Sequence, residues 1–535
     1  MRSALPSLAY YRPEFDRLGP GGSRSADLCI YGGTPAGIIA ALTAARLGRS
    51  VLLLESGPRI GGMTTSGLGF TDIGNKAAIG GLAREFYRRV GKRYGVAEAW
   101  TFEPGAAESV FVQWLAEASV PFHTRQFLAG VETEGRRITA LRTTGGLHVR
   151  ARAFIDASYE GDLLAAAGVG HFVGREDNAT YGETLNGAQV HDTHQFESDV
   201  SPYVIAGDRE SGLLPGIETG EVIVGAGDRR IQAYCFRMCL TDDPANRRAF
   251  ERPRDYDPRH YVLLQRYLAA GWRDVFSKFD RLRVRTKTDT NNHGAVSTDF
   301  IGQNHAWPNA DYATRERIFQ AHVTYQQGLH WYLAHDPSVP AEVRERYAAW
   351  GLCRDEFVES GGWPTQLYVR EARRMIGDYV MTEHDCRGKR VPSDPIALAA
   401  YTMDSHNCRR FVLPNAADSG QDAVRNEGDV QVHGFPPYPI SYRAIVPRAE
   451  ECENLLVPVC LSASHIAYGS IRMEPVFMIL GQSAALAAHL ALTESVPVQA
   501  VPYADLRSAL LDAGQVLSWA NSGEVTRQAL HASEG

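Results

Sequence analysis

A run of small residues between an apolar segment and a helical one carries the most informative chemistry in this sequence. Residues 27–31 (DLCIY) predict a buried strand, and residues 38–48 (IIAALTAARLG) have the period of a helix. The turn predicted between them consists of Gly32, Gly33, Thr34, Pro35, Ala36 and Gly37. Small residues at a helix N-terminus let a phosphate reach the backbone amides and the positive end of the helix dipole. The turn therefore predicts a dinucleotide-binding site.

An acidic residue follows this turn at a suitable distance. Residues 51–54 (VLLL) predict a second strand, and Glu55 stands at its end. Its separation from Gly37 is close to the roughly 20 residues expected before an acid that binds a ribose hydroxyl. Thr34 replaces the middle glycine of the usual G-x-G-x-x-G pattern, so the pattern alone leaves an ordinary βαβ crossover open.

The segment after Glu55, residues 56–69 (SGPRIGGMTTSGLG), is long for a simple connection. It offers a cation, hydroxyl groups and glycines that allow close backbone approach, as a dinucleotide larger than NAD requires. The predicted cofactor contacts in it are Ser56, Arg59, Gly61, Gly62, Met63, Thr64, Thr65 and Gly67. A surface Ω-loop is the alternative interpretation.

Candidates for acid–base chemistry lie far along the chain. His465 in SASHIAYGSIRMEP is the first choice, with a structural histidine as the alternative. His293 in TKTDTNNHG and Tyr442 in YPISY are further polar candidates, as is the segment MDSHN (403–407). Arg370 lies four residues before Arg374 in LYVREARRMIGDY, a stretch of helical period. These arginines either anchor an anionic group or form an ion-pair network on a helix face.

The elements that must position these residues can also be read from the pattern. Alternation in residues 126–151 predicts a small β-meander, and residues 154–158 (FIDAS) predict a strand that enters an Ala-rich helix. Residues 475–492 are apolar almost all round and predict a buried helix. Residues 312–335 and 339–350 predict helices, residues 222–240 predict strands, and residues 415–437 predict a long loop.

Composition limits the class of protein. The 535 residues carry a formal charge of −7 with no basic tract, so no nucleic-acid partner is expected. The first 25 residues have no secretory apolar stretch, and we expect a cytoplasmic protein without a membrane span. Eight scattered cysteines predict free thiols, and the histidines at 322, 330 and 335 lack carboxylates at ligand spacing, so no metal site is expected.

Several segments together resemble the FAD-dependent oxidoreductases often labelled xanthan-lyase-like, within the glutathione-reductase-like FAD superfamily. They are GGTPAG, ESGPRIGGMTTSGLG, FIDASYEGDLLAAAGV, IQAYCFRMCLTDDP, TKTDTNNHGAVSTDFIG, LYVREARRMIGDYVMTEHD and SYRAIVPRAEECENLLVPVCLSASHIAYGSIRMEPVFMILGQSAALAA. The resemblance spans almost the whole chain, and Thr34 at the middle glycine position is common in that family.

The resemblance implies an α/β fold in which a Rossmann-type FAD-binding domain carries an inserted, mixed α+β substrate or cap domain. The implied units are an N-terminal extension (1–25), the first part of the FAD domain (26–175), the cap (176–439) and the second part of the FAD domain (440–535). Further cofactor neighbours are implied at Leu128, Ala157, Ser158, Gly161, Asp162, Glu474, Phe477 and Met478. The amides at the N-terminus of the buried helix predicted at residues 475–492 would face the flavin pyrimidine.

Three functions follow as hypotheses. The first is oxidation of a small polar metabolite, sugar-like or another CH–OH or CH–NH compound, by hydride transfer to flavin N5. The second is reduction of an activated C=C bond, as in the fumarate-reductase branch, with Arg370 or Arg374 as acid and clamp. The third is a flavin-binding electron-transfer subunit. The expected partners are a small substrate and an electron acceptor, oxygen or another; covalent flavin attachment and homo-oligomerisation are left open.

Overall fold

The structure of the chain, a computed structural model, describes residues 8–17 and 19–519. The strands in this part are β1 (Gly22–Tyr31), β2 (Val51–Leu54), β3 (Phe122–His123), β4 (Leu128–Glu134), β5 (Arg137–Thr143), β6 (Leu147–Asp156), β7 (His171–Phe172), β8 (Ile217–Glu218), β9 (Met238–Thr241), β10 (Arg247–Arg248), β11 (Phe279–Arg281), β12 (Lys287–Thr290), β13 (Gly351–Cys353), β14 (Arg374–Met375), β15 (Pro395–Ala399), β16 (Met403–Ser405), β17 (Arg409–Leu413), β18 (Ala423–Glu427), β19 (Val430–Val432), β20 (Tyr438–Ser441) and β21 (Leu455–Leu456).

The α-helices in the same part are α1 (Pro35–Arg46), α2 (Gly81–Arg93), α3 (Pro104–Glu117), α4 (Asp162–Ala166), α5 (Asn178–Tyr181), α6 (Val262–Ala269), α7 (Tyr312–His335), α8 (Ala341–Ala348), α9 (Glu383–Cys386), α10 (His465–Ile471), α11 (Glu474–Glu494) and α12 (Tyr503–Asp512). Short 3-10 turns connect several of them, including one at Gly62–Thr65.

The main sheet has the order β3-β2-β1-β6-β5-β4, with β21 also paired to β6. β3, β2, β1, β6 and β21 run parallel, and Ile30 in β1 lies opposite Leu53 in β2 and Ile155 in β6. β4, β5 and the first part of β6 form the predicted antiparallel meander. Parallel strands joined by a helix bury both faces, so these strands read as nearly continuous apolar runs. The α/β class with a Rossmann-type sheet is confirmed.

Two distant helices cover this sheet side by side. α1 is buried over Pro35–Ala44, and α11 packs across it so closely that a Cβ at Gly481 would overlap the carbonyl of Ala36. α11 has the length and composition to cross a membrane, but 83% of its most apolar window is buried within the protein. This burial is what a core helix requires, and it confirms the predicted buried helix.

A second group of strands comes from the middle of the chain. Five antiparallel strands have the order β10-β13-β9-β12-β11, and α7 and α8 confirm the helices predicted there. Smaller sheets pair β18-β17-β8, β14-β7, β15-β20 and β16-β19. The boundaries of the predicted units stay a prediction, and residues 1–7, 18 and 520–535 of those units lie outside the described part.

Three predictions about local structure were wrong. Residues 222–237 form no ladder apart from an isolated bridge between Arg175 and Asp228. Gly225 and Gly227 interrupt the first part of the segment, and in the second part the amides of Ala233 and Phe236 donate to two separate partners, the Asn407 carbonyl and the Gln326 side chain. The segment 367–379, predicted as a helix, is extended and contains only β14. The predicted long loop 415–437 contains β18, which pairs with β17 in a hairpin, and β19.

The eight cysteines are all buried and free, as predicted. Within residues 8–17 and 19–519, no group of three or more His, Cys, Asp or Glu side chains is arranged to hold a metal ion.

Candidate active site

Glycine is required at two places in the turn that joins β1 to α1. Gly32 has φ +105°, and a Cβ there would overlap the backbone of Ala157 and Ser158. A Cβ at Gly37 would overlap the carbonyl oxygen of Gly32. The turn, α1 and the end of β6 therefore approach more closely than side chains permit, which is the geometry of a phosphate-binding turn.

Thr34, at the position of the missing glycine, caps α1. Its Oγ1 accepts a hydrogen bond from the Gly37 amide at 3.3 Å and donates one to the Ala157 carbonyl at 2.7 Å. Pro35 follows at the first helical position, where no N–H is needed. Among the described residues, the amides of Thr34 and Ala36 have no hydrogen-bond partner. These two donors and the helix dipole are available to an anion.

Glu55 lies beside this turn at the end of β2. Its Oε2 accepts a hydrogen bond from the Gly33 amide at 2.6 Å, and its Oε1 accepts one from the Gly57 amide at 2.5 Å. Burial raises the pKa of the Glu55 carboxyl, although these amides act to lower it. An acid in this place can accept hydrogen bonds from the ribose next to a turn-bound phosphate.

A cleft opens where β1, β2 and β6 end, the edge at which open α/β sheets bind ligands. The predicted site residues on its wall are Gly32, Thr34, Glu55, Ser56 and Ser158. The lining residues that sequence reasoning missed are Tyr10, Gly57, Pro58, Tyr159, Glu160, Thr365 and Gln366. Burial raises the pKa of Glu160 to about 7, so this acid is readily neutralised beside a phosphate.

The end of β6 leads into the predicted neighbours Gly161 and Asp162. Gly161 precedes α4 with φ +68°. Asp162 binds Arg315 at 2.6 and 2.8 Å and Arg373 at 2.8 Å. Burial acts to raise the pKa of Asp162, but the charges of both arginines outweigh it and lower the value. Asp162 therefore positions two guanidinium groups next to the cleft residue Glu160, whose carbonyl accepts from Arg373 at 3.0 Å.

Two predicted cofactor contacts face other groups. The guanidinium of Arg59 pairs with Glu108 and, at 2.8 Å, with Glu359, and it does not line the cleft. Leu128 is buried among apolar residues, where its amide donates to the Tyr31 hydroxyl at 3.0 Å. Neither orientation was visible in the sequence, because the partners lie far away along the chain.

The loop residues Met63 and Thr64 meet α11 at its first residue. The Tyr159 hydroxyl accepts a hydrogen bond from the Met63 amide at 3.0 Å and donates one to Glu474 Oε1 at 2.6 Å. Thr64 Oγ1 lies 3.4 Å from Glu474 Oε2. Three segments predicted to contact one cofactor, residues 56–69, the end of β6 and the start of α11, are thus in direct contact.

The amides available at the start of α11 differ from those predicted. Phe477 N donates to the Met473 carbonyl at 3.0 Å, and Met478 lies one position deeper in the helix. Among the described residues, the first-turn amides without a partner are those of Glu474 and Val476, since Pro475 has none to offer.

Glu474 should make stability depend on pH, because burial raises its pKa to about 8. The folded protein then holds this proton more tightly than the unfolded chain does. The stabilisation from protonated Glu474 is complete below the pKa of the unfolded chain. As pH rises toward 8 this part of the free energy of unfolding is lost, at most by about 1.4 kcal/mol per pH unit. Glu474→Gln, which resembles the protonated acid, should therefore gain stability over wild type between about pH 5 and about pH 8.

Urea unfolding without added ligand measures this difference. The control is Glu494→Gln at the exposed other end of α11. A stability difference between wild type and the Glu474→Gln variant that stays constant with pH would show that Glu474 is ionised throughout.

His406 lies between two carboxylates. Asp299 Oδ2 is 2.8 Å from its Nδ1, and Asp404 Oδ2 is 3.7 Å from its Nε2. Arg370 pairs with Asp299 at 2.9 Å, and Arg472 pairs with Asp404 at 3.0 Å. We call these five buried or nearly buried residues the His406 cluster. Because Arg472 comes two residues before Glu474, the cluster adjoins the start of α11.

The charges in this cluster are balanced by contact. Burial acts to raise the pKa values of Asp299 and Asp404, but opposite charges outweigh it. Arg370 and His406 hold the pKa of Asp299 well below its usual range, and His406 and Arg472 do the same for Asp404. Both carboxylates are therefore ionised at neutral pH.

His465, the first choice for acid–base chemistry, binds protein groups with both ring nitrogens. Its Nδ1 lies 2.8 and 3.0 Å from the Glu371 carboxylate, and its Nε2 lies 3.0 Å from Ser405 Oγ. Glu371 also binds Arg374 at 3.1 Å. His465 thus links α10 to β16, the strand that precedes His406.

The other candidates are spread out. Arg370 is in the His406 cluster, but its extended segment separates it from Arg374, which binds Glu176 at 2.6 Å and three further acceptors. His293 lies near the surface and pairs with Asp274 at 2.7 Å. Tyr442 donates to the Val498 carbonyl at 2.6 Å and takes no part in the cluster.

Comparison with known proteins gives one extensive match. A family model described as FAD dependent oxidoreductase matches residues 27–510. No curated protein matches the chain.

Solved structures match only in part. A flavoprotein/dehydrogenase from Cytophaga hutchinsonii is 17% identical over 28% of this chain and 44% of its own, with a TM-score of 0.21. L-amino acid deaminase from Proteus vulgaris is 15% identical over 32% and 55%, with a TM-score of 0.24. The 3-ketosteroid-delta4-(5alpha)-dehydrogenase from Rhodococcus jostii RHA1 is 15% identical over 25% and 46%, with a TM-score of 0.20. The matches span about half of each structure and carry no argument about activity.

The cleft fits the cofactor that the family match implies. The glycine cradle and the two donor amides at the start of α1 suit a diphosphate, and Glu55 suits the adjoining ribose. Because the match spans residues 27–510, the chain belongs to the FAD dependent oxidoreductase family and is an FAD-binding protein with a Rossmann-type sheet.

Proposed function

We propose that the enzyme oxidises a small polar metabolite at a carbon bearing a hydroxyl or amino group, and that His406 accepts the proton. The observation that carries this proposal is the position of His406 between Asp299 and Asp404 in a cluster that adjoins the start of α11. Bound FAD supplies a hydride acceptor at N5. The protein must then orient the substrate and take up the proton.

The geometry leaves one nitrogen of His406 for the substrate. Asp299 lies within hydrogen-bond distance of Nδ1, which favours the tautomer with its proton there. Nε2 is 3.7 Å from Asp404, too far for a hydrogen bond, so in the neutral form of the ring its lone pair faces an O–H or N–H group of the substrate. As hydride leaves the substrate carbon, the proton moves to Nε2 and a C=O or C=N bond forms. The resulting imidazolium lies between two carboxylates.

The charge balance favours a substrate without a carboxylate. Arg370 and Arg472 are each paired with an aspartate of the His406 cluster. Arg374 is enclosed by Glu176, Glu371 and two carbonyl groups. A reductase of activated C=C bonds would need one of these guanidinium groups to bind and protonate its substrate. We therefore propose a neutral alcohol, sugar-like or otherwise, or an amine, with oxygen or another acceptor removing the electrons.

Anaerobic reduction of the FAD-loaded enzyme tests the proposal. Sugars, polyols, amines, hydroxy acids and activated alkenes are mixed with it, and loss of the visible absorbance of oxidised flavin is followed. Oxygen and an artificial dye are then tested as acceptors. We expect bleaching by members of the neutral or amine classes. Bleaching by hydroxy acids alone, or turnover of the reduced enzyme only with activated alkenes, would contradict it.

A further inference from the structure

Residues 8–17, which precede β1 and which we call the N-terminal segment, reach the cofactor cleft. Tyr10 lines the cleft together with Gly32, Thr34 and Glu55, the residues that cradle the diphosphate and ribose. Its hydroxyl lies 3.5 Å from Arg315 Nη1, in the guanidinium that Asp162 positions. A segment outside the Rossmann unit thus supplies part of the cleft wall.

A single carboxylate on α7 fixes the N-terminal segment from one side. Glu316 Oε2 accepts hydrogen bonds from the amides of Tyr10 at 2.7 Å and Tyr11 at 2.9 Å. One helical turn later, Gln320 Nε2 donates to the Leu8 carbonyl at 2.7 Å and to Glu316 Oε1 at 2.8 Å. These two charge-assisted hydrogen bonds fix the backbone of Tyr10 and Tyr11, and thereby the positions from which their side chains extend.

Aromatic packing places Tyr10 and Tyr11 between the main sheet and the middle of the chain. The Tyr10 ring lies 4.8 Å from Trp307 and 5.6 Å from Phe127, measured between centroids, and the Tyr11 ring lies 4.8 Å from Phe127 and 5.4 Å from Tyr312. Phe127 immediately precedes β4 of the main sheet, whereas Trp307 and Tyr312 belong to the middle of the chain. The segment therefore packs against both the main sheet and the middle of the chain.

The far end of the segment is fixed on the main sheet. Asp16 accepts from Thr144 Oγ1 at 2.5 Å and from the Tyr11 hydroxyl at 3.0 Å. The Phe15 ring lies 4.2 Å beneath the guanidinium of Arg125. The N-terminal segment is therefore held at both ends. Its backbone at Tyr10 cannot move away from the cleft unless the hydrogen bonds with Glu316 break.

We propose that the N-terminal segment belongs to the FAD-binding site, with Tyr10 closing the wall beside the ADP half and Glu316 holding it closed. FAD then leaves only after the segment has separated from α7. This inference depends on the binding of FAD and is independent of the substrate and of the role of His406. It predicts that release of FAD is slow in the intact enzyme and is accelerated by breaking the Glu316 contacts.

The test measures FAD release from the loaded enzyme, followed by the fluorescence that free flavin regains on dilution. Glu316→Ala removes the acceptor without touching the cleft, and Tyr10→Ala removes the wall. Glu316→Ala should release FAD about 10-fold to 100-fold faster than wild type, the effect expected from losing a charged hydrogen-bond acceptor. Tyr10→Ala should also release FAD faster than wild type, because the cleft wall is lost. Tyr10→Phe, which keeps the ring, should stay close to wild type.

Arg317→Ala, an exposed neighbour on the same helix, is the matched control and should leave the rate unchanged. Thermal unfolding of each variant with and without FAD separates a binding effect from a general loss of stability. The proposal is overturned if folded Glu316→Ala releases FAD at the wild-type rate. An equal loss of thermal stability with and without FAD in Glu316→Ala, at an unchanged release rate, would show that Glu316 stabilises only the fold and would likewise overturn the proposal. Should Tyr10→Ala not fold, Glu316→Ala decides.

Discussion

The variant His406→Asn should reduce its bound flavin with substrate about 10²-fold to 10⁴-fold more slowly than wild type, the usual contribution of a positioned acid–base group. Asparagine keeps a donor near Asp299 but removes Nε2, the nitrogen left for the substrate. FAD content should not change, since His406 lies outside the cleft that holds the diphosphate and ribose. Anaerobic stopped-flow reduction, as a function of pH, gives the rate and shows whether a titrating base has disappeared.

His465→Asn separates this role from a structural one. Losing the hydrogen bonds with Glu371 and Ser405 should lower the free energy of unfolding by about 0.5–3 kcal/mol for each bond, since both partners keep other hydrogen bonds. The reduction rate of the folded enzyme should change much less than in His406→Asn. If His406→Asn is reduced as fast as wild type, the proposed base is wrong. The same conclusion follows if His465→Asn alone loses the pH-dependent step at unchanged stability.

The variant Gly37→Ala should lose FAD affinity by at least about 100-fold, equivalent to about 2.7 kcal/mol. Its Cβ would overlap the carbonyl oxygen of Gly32, and 3.3 Å away lies the Ala157 side chain. α1 must move away from the turn, and the amides of Thr34 and Ala36 then no longer converge on the diphosphate. FAD content after purification and titration of the cofactor-free protein with FAD measure the loss.

Gly21→Ala is the matched control for that change. Gly21 is exposed, and a Cβ there would meet only the Gly145 carbonyl at 3.8 Å, an ordinary contact. It should bind FAD like wild type. Retention of FAD by folded Gly37→Ala at wild-type affinity would show that the diphosphate does not lie on this turn.

Features set by neighbouring residues were predictable from the sequence. The turn from Gly32 to Gly37, Glu55 at the end of β2, the meander of β4 to β6 and the buried helix α11 all follow from short-range patterns. In each case the period of apolar residues, or the backbone space that only glycine allows, is decided within about 20 residues. The sequence by itself therefore determined the turn, the strands and the helices that carry the cofactor-binding site.

The remainder was decided by contacts between distant segments. The helical period around Arg370 was overridden, because Arg370, Glu371 and Arg374 are buried and must find charged or polar partners in several directions, which an extended chain allows. His406 and Asp299 are 107 positions apart, and Tyr10 and Glu316 are 306 apart. No local spacing can indicate such pairs, because the two groups of each pair meet only when the chain has folded.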